Sequence, residues 1–136
     1  MIIGIGTDIC SINRIEGTLA KFGCRFKKRI FSIEEQKKAE SRRSPAATYA
    51  KFFAAKEACS KALGTGFREG VYWKNLHVKS LKTGQPFMEV SDGALKKLNK
   101  LTPANMHAVI NLSLTDEYPL AHAMVVIYAN LIETGQ

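Results

Sequence analysis

Two acidic residues and two lysines of this 136-residue chain have the types and spacing of a magnesium–phosphate site. Asp8 ends the apolar segment Gly4-Ile5-Gly6-Thr7-Asp8, and Glu57 lies in a helical pattern that also contains Lys56 and Lys61. Mg²⁺ is typically held by one or two carboxylates, with phosphate oxygens and water completing its octahedron. Lysine supplies the compact positive charge that meets phosphates. The residue types therefore predict that Asp8 and Glu57 bind metal and that the lysines contact phosphate.

The end of this helical pattern also has a candidate role. Glu57 and Lys61 should project side by side, because residues four apart share one face of a helix. The alternative is a surface ion pair, which stabilises a helix by only about 0.2–0.5 kcal/mol. Gly64-Thr65-Gly66 follows the helix, and its N–H groups and hydroxyl could contact a phosphate. A helix C-cap and turn explains these three residues equally well.

The strand before Asp8 contains two unexpected glycines. Isoleucines at positions 2, 3, 5 and 9 favour a β-strand. Gly4 and Gly6 weaken such a strand unless another backbone or a ligand approaches closely. They therefore indicate a close approach beside Asp8. Alternatively, Asp8 is a turn aspartate that caps the helix predicted after Ser11, and the two roles are compatible.

Periodicity and capping signals predict the elements that position these residues. Helices are predicted at residues 12–22, 32–43 and 45–63, with boundaries at Gly23, Ser32, Pro45 and Gly64. Strands are predicted at residues 76–81, 87–90, 110–114 and 121–129, with a short helix capped by Asp92. The last strand is largely apolar and should be a buried central strand. Early helices packed on a late antiparallel sheet predict an α+β fold, as one domain over residues 1–136.

The composition is typical of a folded cytoplasmic protein. Apolar residues make up 46% of the chain, and no apolar run approaches the roughly 20 residues of a membrane span. The N-terminal residues lack the basic region of a secretory signal. Cys10, Cys24 and Cys59 lack metal-ligand spacing and are most simply reduced apolar residues. We therefore expect a cytoplasmic location without a membrane span.

A basic segment at residues 21–43 contributes most to the net charge of +8. Such a field steers acidic partners towards a protein but does not identify them. Nucleic acid, an anionic membrane surface and an acidic protein all fit the charge. A small nucleic-acid-binding module is therefore an alternative function. The aromatic residues do not interleave with the basic ones, so we expect no nucleic-acid partner.

Two motifs together resemble those of the phosphopantetheinyl transferases, specifically the small holo-acyl-carrier-protein synthases. That family has an N-terminal G-I-G-x-D and, further along, an F-x-x-K-E-x-x-x-K helix that ends in G-T-G. This chain has the first motif at residues 4–8, the second at residues 53–61 and Gly64-Thr65-Gly66 after it. Each motif alone is common, but their order and spacing together are specific. The resemblance extends over nearly the whole chain, including Arg14-Ile15-Glu16, Arg25-Phe26, Gly84-Gln85-Pro86 and Ser113-Leu114-Thr115.

The resemblance implies a Mg²⁺-dependent enzyme of fatty acid biosynthesis. It would transfer the 4′-phosphopantetheine group of coenzyme A to a serine of apo-acyl carrier protein and release 3′,5′-ADP. Asp8 and Glu57 would bind the metal, Glu57 and Lys61 would be catalytic, and Lys56 and Lys61 would contact phosphate. The remaining residues implied in coenzyme A binding are Gly64, Thr65, Gly66 and Pro86.

The resemblance also implies protein partners. Arg14 and Arg25 match positions from which the family contacts acidic residues of the carrier protein, and the bidentate arginine fork suits carboxylates. Ordinary exposed basic residues are the alternative. Family members of this length are homotrimers with the coenzyme between subunits, and the apolar residues 125–128 are compatible with such an interface. A catalytically silent carrier-protein binder is a further alternative, but the intact carboxylate pair argues against it.

The chain departs from the family pattern at two places. Phe52 replaces an arginine that many relatives have, and Lys51 could supply the missing phosphate contact. Asn111 stands where relatives commonly have the histidine of a His-Val-Ser sequence. His107 lies four residues earlier and is interpreted as a loop histidine without a catalytic role.

Overall fold

The chain folds with its helices mainly in the first half, as the computed structural model shows for residues 1–133. Its first half contains β1 (Ile2–Ser11), α1 (Ile12–Phe22), α2 (Cys24–Ile30), α3 (Ile33–Glu40) and α4 (Pro45–Leu63). Its second half contains a 3-10 helix (Trp73–Asn75), β2 (Leu76–Ser80), β3 (Pro86–Val90), α5 (Asp92–Leu101), β4 (Met106–Glu117) and β5 (Leu120–Leu131). The predicted α+β class is confirmed. The predicted domain end at residue 136 lies outside the described residues.

The strands form two antiparallel sheets instead of the single sheet that we expected. β1, β5 and β4 lie side by side in that order, whereas β2 and β3 form a separate hairpin. β5 is the central strand, and its side chains Ala121, Ala123, Val125 and Ile127 are fully buried. The predicted central position of this strand is therefore confirmed.

Helix α4 packs against both β1 and β5. Pro45 lies in its first turn, and Gly64 ends it in the left-handed conformation with a φ of 83°. Ala54, Ala55 and Ala58 are fully buried, and such short side chains let the sheet come close to the helix backbone. In the part of the chain that the structure describes, no helix is both long and apolar enough to cross a membrane.

Three local predictions are wrong. Residues 24–30 form α2, which the pattern did not reveal because four of its seven residues are basic. Ser91 is the N-cap of α5, and Asp92 is its first residue instead of the cap. His107 lies within β4 and not in a loop, because that strand begins at Met106.

Candidate active site

The two glycines before Asp8 bring β1 into backbone contact with α4. A Cβ atom added to Gly6 would lie 1.9 Å from the carbonyl oxygen of Ala58, and one added to Gly4 would lie 2.3 Å from that of Ala62. Any larger residue would therefore force the strand away from the helix. The close approach that the glycines indicated is the backbone of α4. It sets the separation of β1 and α4 where the predicted site residues lie.

Asp8 and Lys61 form an ion pair between β1 and α4. Lys61 Nζ lies 3.1 Å from Asp8 Oδ1 and also donates a hydrogen bond to the Thr7 carbonyl oxygen at 3.0 Å. The Asp8 side chain is only 17% exposed, whereas that of Lys61 is 52% exposed. An ammonium group has three N–H donors. Two of them hold Lys61 in place, and the third can contact a ligand in solvent.

Glu57 is the second carboxylate of this cluster. Burial raises its pKa, and the negative charge of Asp8 raises it further, while Lys61 and Arg14 oppose the shift. The negative charge of Asp8 therefore disfavours the ionised form of Glu57, and a bound cation would relieve that repulsion.

The donor set fits a metal that shares its ligands with a substrate. Among residues 1–133, no group of three or more His, Cys, Asp and Glu side chains is arranged to hold a metal. Two carboxylates alone do not complete a protein cage. They suit Mg²⁺, which usually keeps water and substrate phosphate oxygens among its ligands.

The two predicted carrier-binding arginines lie in different surroundings. Arg14 lies in the first turn of α1, where its backbone N–H donates to the Oγ of the N-cap Ser11 at 3.2 Å. Its charge acts on Glu57 and also on Cys10, whose thiol pKa is raised by burial and lowered by Arg14. Arg25 lies on α2 and is exposed. Arg14 is therefore next to the carboxylate cluster, whereas Arg25 belongs to the basic surface.

Gly64-Thr65-Gly66 forms the C-terminal cap of α4, which confirms one of its two interpretations. The Gly64 N–H donates to the Lys61 carbonyl oxygen at 2.9 Å, and the Gly66 N–H donates to that of Ser60 at 3.1 Å. Thr65 is buried, and its hydroxyl donates to the Gly66 carbonyl oxygen at 2.6 Å. These internal hydrogen bonds hold the loop at the end of α4, one turn beyond Lys61.

Lys56 is fully buried, which corrects its predicted role in phosphate binding. Its Nζ lies 2.9 Å from Oε1 of Glu35, and neither side chain has any exposed area. The Nζ also donates to the carbonyl oxygens of Trp73, at 3.2 Å, and Leu76. All three donors are therefore engaged inside the protein. Burial lowers the pKa of Lys56, and the Glu35 carboxylate opposes this shift.

Pro86 lies in a different cavity, which we call the basic pocket. This cavity has a volume of about 290 Å³, and its lining includes Lys38, Arg42, Lys51, Ser80 and Pro86. Neither Asp8 nor Glu57 is among its lining residues. The density of positive charge in residues 21–43 was the one sequence signal for this pocket. Its basic side chains lie within residues 38–51, whereas Ser80 and Pro86 come from the later β2–β3 hairpin.

Phe52 and Lys51, the residues at the first departure from the family pattern, also line the basic pocket. Lys51 Nζ forms an ion pair with Asp116 at 3.0 Å. At the second departure, Asn111 is exposed on β4, and its amide donates to the Val126 carbonyl oxygen at 3.5 Å. His107 lies about 13 Å further along the same strand, so it does not occupy the position of Asn111.

The α+β fold, with the Asp8–Lys61 ion pair between a strand and a helix and Glu57 on the same helix, is compatible with an enzyme that transfers phosphorylated groups. The family model of the 4′-phosphopantetheinyl transferase superfamily matches residues 4–123. The chain belongs to this superfamily and is a transferase of the holo-acyl-carrier-protein synthase family.

Relatives match over nearly the full length of the chain. A holo-[acyl-carrier-protein] synthase of Dinoroseobacter shibae is 57% identical over 135 residues, which are 99% of this chain and 97% of the relative. The crystal structure of a Neisseria meningitidis holo-[acyl-carrier-protein] synthase is 37% identical, with a TM-score of 0.82 over 94% of this chain and 99% of that one. The Helicobacter pylori synthase, solved in complex with coenzyme A, is 29% identical, with a TM-score of 0.77 over 91% and 99%.

Proposed function

We propose that this protein transfers the 4′-phosphopantetheine group of coenzyme A to a serine of apo-acyl carrier protein in a Mg²⁺-dependent reaction. The products are holo-acyl carrier protein, for fatty acid biosynthesis, and 3′,5′-ADP. The observation that carries this proposal is the cluster of Asp8, Glu57 and Lys61 between β1 and α4. The related Helicobacter pylori synthase binds coenzyme A, which supports this donor. Three free cysteines among the described residues support a cytoplasmic location.

Asp8 and Glu57 are the residues that would hold Mg²⁺. When bound, the ion neutralises negative charge that develops on the pyrophosphate of coenzyme A. Lys61 contributes a further positive charge, and its exposed ammonium contacts a phosphate oxygen through the donor that neither Asp8 nor Thr7 uses. The Gly64-Thr65-Gly66 loop borders this phosphate site.

Glu57 is also our candidate to accept the proton of the attacking serine. In the metal-free protein, burial raises the pKa of Glu57, so its carboxylate is a stronger base than an exposed one. Glu57 lies one turn of α4 before Lys61, which puts it near the expected pyrophosphate. Lys56 takes no part in this chemistry, because its ammonium is enclosed with Glu35.

The basic pocket is proposed to bind the nucleotide end of coenzyme A. The coenzyme carries a 3′-phosphate in addition to its pyrophosphate, and it therefore needs two separate cationic regions. Lys38, Arg42 and Lys51 provide the second region, next to Pro86. The carboxylates do not line this pocket, which favours a coenzyme that spans two neighbouring subunits.

We propose a homotrimer, as the family resemblance implies, and the exposed apolar side chains on one face of the three-stranded sheet support assembly through that face. Its outward side chains alternate with the buried ones, and the large apolar residues among them are Ile5, Ile9, Val109, Met124 and Tyr128, each at least 40% exposed. An apolar face of this extent on two or more strands is typical of a protein–protein interface. Assembly through this face would bury it.

The acyl carrier protein is proposed to approach the basic surface that includes Arg25, with Arg14 at the edge of the carboxylate cluster. Arginine pairs with the acidic side chains of such a partner through two parallel hydrogen bonds. The net charge of +8 accelerates this encounter at low salt.

Intact mass spectrometry of apo-acyl carrier protein tests the proposed reaction. The carrier is incubated with the enzyme, coenzyme A and Mg²⁺, and a parallel sample contains EDTA. We expect a mass increase of one phosphopantetheine group, and no increase with EDTA. An unchanged carrier mass with a folded, metal-supplied enzyme would refute the proposal.

A further inference from the structure

Glu35 and Lys56 form a buried ion pair whose polar atoms are well matched. Glu35 Oε1 accepts hydrogen bonds from Lys56 Nζ at 2.9 Å and from the backbone N–H of Ser32 at 2.8 Å. Glu35 Oε2 accepts one from the backbone N–H of Val78 at 2.8 Å. The described residues contain no buried side-chain nitrogen or oxygen without a hydrogen-bond partner. The polar atoms of the pair therefore form a fully satisfied hydrogen-bond network.

This network joins four elements of the fold. Glu35 belongs to α3, Lys56 belongs to α4, and their backbone partners Trp73, Leu76 and Val78 belong to the 3-10 helix and to β2. A carboxylate and an ammonium that have lost all contact with water must retain each other, because either one alone would be an uncompensated buried charge. The relative positions of α3, α4 and β2 are therefore set by the pair.

Three of these elements, α3, α4 and β2, contribute to the basic pocket, together with residues of β3 and β4. Lys38 follows Glu35 by one turn of α3, and Phe52 precedes Lys56 by one turn of α4, so each pocket residue lies next to a member of the pair. The third element, β2, contributes Val78. The backbone N–H of Val78 donates a hydrogen bond to Glu35, and Val78 also lines the pocket. Two residues further along β2, the Ser80 hydroxyl accepts a hydrogen bond from Lys38 Nζ.

We propose that Glu35 and Lys56 are positioning residues, which hold the walls of the basic pocket at the separation that the 3′-phosphate of coenzyme A requires. This inference rests on the proposed function of the pocket. It predicts an effect on donor binding at the nucleotide end and none on the chemical step, since neither side chain contacts Asp8, Glu57 or Lys61.

The test compares coenzyme A with 3′-dephospho-coenzyme A as donors for apo-acyl carrier protein. The variant Glu35→Gln/Lys56→Met removes both charges at nearly constant volume, which proteins often tolerate. The matched control is Lys79→Met/Glu89→Gln, which removes an exposed ion pair of the β2–β3 hairpin. Circular dichroism establishes that each variant is folded.

For Glu35→Gln/Lys56→Met we expect the KM for coenzyme A to rise about tenfold. A rise of this size corresponds to the loss of one charge-assisted hydrogen bond to the phosphate. The KM for 3′-dephospho-coenzyme A and kcat with either donor should change less than about twofold, as should every constant of the control. An unchanged KM for coenzyme A in the folded variant would overturn the proposal. If the double variant does not fold, Glu35→Asp, which keeps both charges but shortens the side chain between α3 and β2, must show the same selective rise in KM, and its absence would also overturn the proposal.

Three further outcomes separate this inference from the function on which it rests. If Lys56→Met lowers kcat with both donors while Glu35→Gln does not, Lys56 contacts the transferred group, and the positioning role is wrong. If the wild type uses both donors with equal KM, the pocket does not bind the 3′-phosphate, and the inference fails while the transfer reaction stands. If the wild type transfers nothing from either donor, the proposed function itself fails.

Discussion

Replacing Gly6 by alanine should damage both stability and activity, because β1 cannot remain in contact with α4. The added Cβ would lie 1.9 Å from the Ala58 carbonyl oxygen, about 1.1 Å below the 3.0 Å limit that real Cβ atoms respect. Both sides of this contact are backbone, so no side chain can rotate away. Overpacking typically costs about 1–3 kcal/mol, and a backbone clash belongs at the upper end. At about 3 kcal/mol, the melting temperature of a domain of this size should fall by roughly 10 °C.

Activity should fall further than stability explains, since the strand that moves carries Asp8. A displacement of about 1 Å in a positioned group can reduce turnover by about 10²-fold. Differential scanning calorimetry and the intact-mass assay, both performed below the melting transition, measure the two effects. The control is Gly17→Ala in α1, where a new Cβ meets nothing within 4 Å and should stabilise the helix by about 0.5–1 kcal/mol. A Gly6→Ala enzyme with wild-type melting and turnover would refute this account of the glycine.

Three further predictions concern the carboxylate cluster and the assembly. Glu57→Gln should reduce turnover by about 10²-fold or more, yet it should raise the metal-free melting temperature at pH 7. The pKa of Glu57 is raised in the folded state, so the ionised carboxylate destabilises the fold at pH values above that pKa. This destabilisation is absent below the ordinary pKa of 4.5. A Glu57→Gln variant that melts at a lower temperature than the wild type would contradict this prediction. At subsaturating Mg²⁺, protons compete with the metal for Glu57, so wild-type kcat/KM should decline as the pH falls through the raised pKa of Glu57; a profile that stays flat down to the ordinary carboxylate range would exclude Glu57 as ligand or base. Met124→Glu, on the outward face of β5, should convert the assembly to monomers in light scattering, whereas Leu95→Glu, at nearly equal exposure on α5, should not.

The parts of the fold that depend on local signals could be predicted from the sequence. The Ser32–Glu35 capping box starts α3, and Pro45 and Gly64 bound α4, as expected from local signals, whereas α3 ends at Glu40 and not at the predicted residue 43. The glycines before Asp8 indicated a close backbone approach, which the structure confirms. α2 was not predicted, because its basic residues hide the periodic spacing of the apolar residues that pack against the core.

The different environments of the two lysines of α4 could not be predicted from the sequence. Lys56 and Lys61 are both charged residues of one helical motif, yet one is fully buried and the other is half exposed. The difference depends on Glu35, which lies in another helix. No spacing in the sequence identifies Lys56 as the partner of Glu35. The basic pocket is a further non-local feature, because Lys38, Lys51 and Ser80 meet only after three elements have packed.

The central claim is that Asp8 and Glu57 together hold the divalent cation in the presence of coenzyme A, and Mn²⁺ tests it most directly. Electron paramagnetic resonance measures free Mn²⁺ during titration of the wild type, Asp8→Asn and Glu57→Gln, each with saturating coenzyme A. The account predicts one tight Mn²⁺ per chain in the wild type and a Kd at least about tenfold weaker in both variants. Unaltered Mn²⁺ binding by either folded variant would show that its carboxylate is not a ligand and would contradict the account.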